Sequence, residues 1–186
     1  MRTWDYLSTR LVGPNASASQ VTLILLPALM AGLLCAKAFE AEDAVDWMVA
    51  AAALLAVDIV GGCIACSLPP LQRLHASTYA DPLKQAGFQL WHFGHVAVIA
   101  WFFSDNPASA AALGLTLLSF GAIGSCMCTP SVIGGFRVVM LLAWSLYAYA
   151  LPGTSELFLL FSMALAFKLF VAFPSFQPAR TLADTP

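Results

Sequence analysis

Residues 46–67 read DWMVAAAALLAVDIVGGCIACS, an apolar run interrupted once, at Asp58, near its middle. Wound as an α-helix at about 1.5 Å per residue, it reaches about 33 Å, close to the roughly 30 Å hydrocarbon core of a bilayer. The stretch therefore predicts a transmembrane helix carrying an acid near mid-depth.

The rest of the chain has the same character. Of 186 residues, 60% are hydrophobic and only 10% charged, which removes the protein from the soluble class. Five more runs approach the required length of about 20 residues, so spans are expected at about 19–38, 46–67, 86–103, 108–128, 131–151 and 156–174. Turn-forming residues separate them: Pro69 and Pro70, then Asp105, Asn106 and Pro107, then Thr129 and Pro130, then Pro152 and Gly153. The fold class predicted is all-α, a polytopic transmembrane bundle of six helices forming one membrane domain over residues 1–186. Its longest loop spans residues 68–85. The first apolar run passes directly into a charged loop and a second span, so it reads as a retained helix and not as a cleaved signal. Gly32, Leu33 and Leu34 before Cys35 also lack the small residue that a lipoprotein site needs beside its cysteine.

Orientation follows from lysine and arginine, which cytoplasmic loops retain. With both termini in the cytoplasm, Arg2, Arg10, Arg73, Lys84, Arg137 and Arg180 fall at or near the inner side, and only Lys37 lies outside. The expected location is a multi-pass protein of a bacterial inner (plasma) membrane. The acidic run Glu40, Glu42, Asp43 and Asp46 then becomes a solvated outer loop. The Asn15-Ala16-Ser17 sequon falls on the cytoplasmic side and reads as a turn. Leu54, Leu55, Gly61 and Cys63 recur in spacing as Leu117, Leu118, Gly124 and Cys126, matching spans two and four. Two inverted halves of three spans would match one with four, so no transporter duplication is read here. Net charge is -2 and the basic residues are scattered, which excludes a nucleic-acid partner. The expected partners are the lipid bilayer and a lipophilic small molecule or ion, with a membrane-protein partner or a second copy left open.

Candidate chemistry begins with Asp58, since an ionised group at the bilayer centre costs about 2.5–3.5 kcal/mol on insertion scales. Gly61, Gly62 and Cys66 share its helix face and would admit a close neighbour. Gln89, His92 and His95 follow at three-residue spacing, covering roughly 120° of one face of span three. Histidine titrates near neutrality, which suits a proton relay or general base, whereas a buried histidine can equally be a hydrogen-bonded packing residue. The expected catalytic set is Asp58, His92 and His95. The expected binding set is Gln89, Trp91, Trp101, Arg137 and Lys168, with Phe88 beside the tryptophans. Arg137 and Lys168 either snorkel to the cytoplasmic surface or turn inward, where one of them neutralises Asp58.

No cofactor or metal is expected. The segment Leu90 to His95 lacks the glutamate and spacing of a His-Glu-x-x-His zinc helix. Both transmembrane histidines lie on one helix, so they cannot grip a haem from opposite sides, and three histidines in all are too few for a di-iron desaturase. Cys63, Cys66, Cys126 and Cys128 form two pairs that would hold a soft metal only if they converged; as small hydrophobes they also simply pack. Three functions remain. One is a membrane-embedded enzyme applying acid and base groups to a lipophilic small molecule in a pocket open to the cytoplasmic half of the bilayer. Another is a small proton- or cation-coupled transporter or channel, for which the outer half is nearly bare of polar groups. The last is a non-catalytic subunit or assembly factor.

Overall fold

A computed structural model describes residues 9, 12–40, 45–79, 81–129 and 131–173. Arg2, Arg10, Glu42, Asp43, Pro130 and Arg180, which entered the reading of charge and connectors, lie outside the described residues. The described chain is all-α. Its helices are α1 (Ala18–Glu40), α2 (Asp46–Cys66), α3 (Pro69–Thr78), α4 (Pro82–Trp91), α5 (Phe93–Phe103), α6 (Pro107–Met127), α7 (Ile133–Ala150) and α8 (Glu156–Phe167). A π-helical turn, Lys168–Ala172, extends α8. Four of them, α1, α2, α6 and α7, are long and apolar enough to cross a membrane, and the fold is that of a multi-pass α-helical membrane protein.

Local chemistry sets the helix starts. Asn106 accepts the Ser109 N–H at 3.2 Å ahead of Pro107, Asp81 accepts the Leu83 N–H at 2.8 Å ahead of Pro82, and the Ser155 hydroxyl accepts the Phe158 N–H at 3.2 Å. The expected loop 68–85 holds the ten-residue helix α3, with Pro69 and Pro70 in its first turn, where a missing N–H costs nothing.

α1 and α2 form the most extensive pairing. Their approach depends on Gly32, where a Cβ would stand 2.7 Å from Val57 Cγ2. At the end of the bundle away from α3, Ser104 and Thr154 bridge antiparallel. There the Asp105 N–H donates to the Gly153 carbonyl at 2.7 Å, joining the α5–α6 and α7–α8 connections. At the α3 end, Val12, Ile24, Ala65, Cys66, Leu71, Ala172 and Phe173 share one apolar cluster.

Beside that cluster, His75 on α3 is packed among Tyr79, Phe88 and Phe173. Burial pushes its imidazole down to about 4. The ring therefore binds its proton near pH 4 when folded and near 6.5 when unfolded, so acid favours the unfolded chain between those values. Stability should fall by up to about 3 kcal/mol as pH drops from 6.5 to 4, and His75→Phe should flatten that slope in denaturant titrations. An unchanged slope would remove His75 as its source.

Candidate functional site

Two irregularities in the helices define the centre of the bundle. The span expected as one helix over 86–103 starts at Pro82 and turns at His92, whose φ of -80° and ψ of 8° end α4 and begin α5. The His92 N–H donates to the Gln89 carbonyl at 3.1 Å, one residue short of the α-helical partner. The carbonyl it leaves, Phe88 O, receives the His92 Nδ1–H at 2.9 Å instead. A carbonyl only accepts, so Nδ1 carries the proton and Nε2 keeps its lone pair in the neutral ring. The side chain thus replaces the backbone donor that its own turn removed.

The second irregularity faces the first. At Lys168–Ala172 the Phe173 N–H reaches back five residues to the Lys168 carbonyl. This widens the turn and deprives the Leu169 carbonyl of its usual partner. The donor five residues beyond Leu169 would be residue 174, a proline with no N–H. Gln89 supplies the bond, its Nε2 donating to Leu169 O at 3.2 Å from a fully buried side chain. In a bilayer no water substitutes for such a donor. Gln89→Leu should therefore cost about 1–2 kcal/mol in a denaturant titration in micelles, where Gln89→Glu, able to donate only when protonated, should recover stability in acid. Equal stability of wild type and Gln89→Leu would contradict this role.

Between the two breaks lies an ionic group. Lys168 Nζ donates to Asp58 Oδ2 at 2.8 Å and approaches the Asp58 carbonyl at 3.4 Å. His95 Nε2 meets the same Oδ2 at 2.7 Å. A carboxylate paired with an ammonium is an acceptor, so His95 donates through Nε2, and in the neutral ring Nδ1 keeps its lone pair. Gly62 makes the pairing feasible, because a Cβ there would lie 2.5 Å from Lys168 Cε and 2.7 Å from Nζ. Exposure divides the group unevenly: 6% for the Lys168 side chain, 25% for His95 and 55% for Asp58.

The other expected residues distribute around this core. His92 is buried with its ring centre 5.0 Å from that of His95. Trp91 and Trp101 are exposed, pointing away from the packed interior. Phe88 stacks on Phe173 with ring centres 4.0 Å apart and belongs to the aromatic cluster at the α3 end. Arg137 takes no part in the Asp58 pairing, and its Nε and one Nη atom are buried with no hydrogen-bond partner among the described residues. The cysteine pairs do not converge: Cys63 Sγ lies 3.5 Å from the Ala164 carbonyl and Cys126 Sγ 3.1 Å from that of Pro82. Among the described residues, no three His, Cys, Asp or Glu side chains are grouped to hold a metal ion.

Aromatic clusters lie along the helices on either side of the polar centre. On the α3 side, Tyr79, Phe88 and Phe173 pack together; on the other, Phe103 stacks on Phe161 at 5.0 Å and meets Phe39 at 5.4 Å. α2 packs chiefly on α1, α8 and the π-turn, and its contact with α5 is sparse. The Asp58 carboxylate is consequently open at the side of the bundle. Asp58, His95 and Lys168, each singled out in the sequence, are brought together here; the Leu169 carbonyl was not singled out, although Pro174 signals it by lacking a donor.

No protein-family model matches the chain, and neither the curated proteins nor the solved structures compared with it show significant similarity. The class is thus defined by fold and site alone: a multi-pass α-helical membrane protein with an Asp–His–Lys centre.

Proposed function

We propose that the protein is a membrane-embedded enzyme that applies acid/base chemistry to a lipophilic small molecule, with Asp58, His95 and His92 as its working groups. The observation that carries this reading is the Asp58 carboxylate, bonded through one oxygen to Lys168 and His95 while 55% of the side chain remains open. A carboxylate that orients an imidazole through Nε2 leaves Nδ1 as a general base, an arrangement worth about 10²–10⁴ in rate. Lys168 fixes the carboxylate and neutralises it. His92, behind His95, is the next proton carrier, and the exposed Trp91 and Trp101 flank the approach from the bilayer.

Six crossings with both termini cytoplasmic belong to the same proposal. α4 with α5, and α8 with its π-turn, make the fifth and sixth crossings as broken helices, tolerated where their freed carbonyls find side-chain donors. The Ser104–Thr154 bridge supports this count by joining two connections that alternation places on one side. Arg73 and Lys84, near α3, support a cytoplasmic α3 end, and a bacterial inner membrane is the proposed location.

Broken helices carrying ionisable groups also occur where transporters bind ions, which favours transport as a second reading. The Phe39–Phe103–Phe161 cluster weighs against it, because aromatic rings at that end of the bundle offer a migrating ion little to bind. The test is to reconstitute wild type and His95→Gln in liposomes made from the lipids of the source membrane and compare the lipids by mass spectrometry. An enzyme should consume one species and form another in the wild type alone. Identical lipids from both, with proton flux in the wild type only, would replace catalysis by transport.

A further inference from the structure

Resting on the acid/base reading, we infer that the Asp58–His95 site takes a neutral, hydroxyl-headed lipophile that enters sideways from the bilayer between α2 and α5. The available valences point to such a head group. Both bonds to Asp58 fall on Oδ2, so Oδ1 has no hydrogen bond among the described residues. His95 spends its proton on that same oxygen and retains a lone pair on Nδ1. The nearby donors are buried as well as bonded: the Lys168 ammonium to Asp58, the Gln89 amide to Leu169 and the His92 Nδ1–H to Phe88, so that their remaining N–H groups are not presented to a ligand at the open side. What the site offers a ligand is therefore a pair of acceptors, and the complementary head group is a donor.

Charge narrows the donor. Asp58 and Lys168 cancel, and with neutral histidines the centre has no net charge. A phosphate head would meet the open carboxylate while the compensating lysine is only 6% exposed. An alkylammonium would bring an unbalanced charge into a medium where ions are costly. A hydroxyl donates to Oδ1 or Nδ1, accepts nothing it needs, and reaches mid-bilayer uncharged. Bound at Nδ1, its proton is already on the hydrogen bond along which a base would remove it.

The direction of entry follows from packing. Stacked aromatic pairs lie along the helices on both sides of the centre, Phe88 on Phe173 and Phe103 on Phe161, and leave the side at Asp58 as the open one. Leu54, one turn from Asp58, and Val98, one turn from His95, are exposed. A ligand arriving along those residues comes from lipid, which an alkyl chain already occupies.

The inference is tested with probes of one alkyl chain and one photoreactive group, ending in an alcohol, a methyl ether, a phosphate or an amine, in liposomes containing the wild-type protein. The alcohol should label peptides of α2 and α5 about tenfold or more above the ether, as a hydrogen bond to a charged acceptor implies. The double variant Asp58→Asn, Lys168→Met, which leaves no unpaired charge, should lose that preference. Equal labelling by alcohol and ether, or stronger labelling by phosphate or amine, overturns the inference. Alcohol-selective labelling without any chemical conversion would sink the enzymatic reading and leave the binding inference standing. Conversion of a lipid that has no hydroxyl would do the reverse.

Discussion

Lys168→Met is expected to destabilise the folded bundle by about 2–4 kcal/mol, and adding Asp58→Asn should restore most of the loss. The lysine is buried at the mouth of the π-turn and bonds Asp58 Oδ2 at 2.8 Å. Methionine fills much of the same space over Gly62 but leaves the carboxylate without its cation. Removing one partner of a buried pair costs about 3–5 kcal/mol; the half-open Asp58 side chain reduces that figure, since part of its charge can be relieved from the side. Asparagine removes the orphaned charge and can still accept from His95. Denaturant titrations of both variants in micelles give the comparison. If the double variant were as weak as Lys168→Met, the pair would not be the source of the loss.

The larger kinetic effect is expected at His95. His95→Gln should reduce turnover of the proposed hydroxyl lipid by about 10²–10⁴, a larger loss than the weaker binding that follows from removing one of its two acceptors. Glutamine can place an N–H near Asp58 Oδ2, as imidazole Nε2 does at 2.7 Å, so the carboxylate stays oriented. It has no basic nitrogen to accept a proton. His92→Gln is expected to act differently, because the His92 ring satisfies the Phe88 carbonyl where α4 ends. Its main effect should be on stability, with a smaller loss of rate. Equal rate losses for both variants at unchanged stability would mean that both rings exchange protons directly with the ligand.

Much of the bundle was legible in the sequence for a simple reason. Apolar length and turn chemistry are local properties, so four of the expected spans correspond to single long helices within a few residues. Asp58, His95 and Lys168 were visible because ionisable groups in apolar runs are rare and need partners. The partnership itself was open, with Arg137 an equal candidate for Asp58. The packing of α8 and its π-turn on α2, where Gly62 admits the Lys168 stem, decides between them, and that is a tertiary fact. The turn at His92 was not legible. No proline marks it, and it forms through exchange of one carbonyl between a backbone and a side-chain donor. Gln89 was expected to bind substrate; its amide is bonded to Leu169 instead, leaving Oε1 buried with no partner among the described residues. The π-turn had a local signature in Pro174, yet its repair by Gln89 joins residues 80 positions apart.

The central claim is that Asp58 holds His95 as an oriented base. The chain has only three histidines, so 15N NMR of histidine-labelled protein in bilayers at pH 8 can resolve each ring. His95 should carry its proton on Nε2 with Nδ1 bare, and His92 should show the opposite tautomer, with Nδ1 protonated against the Phe88 carbonyl. A His95 ring protonated on Nδ1, or on both nitrogens at that pH, would contradict the account.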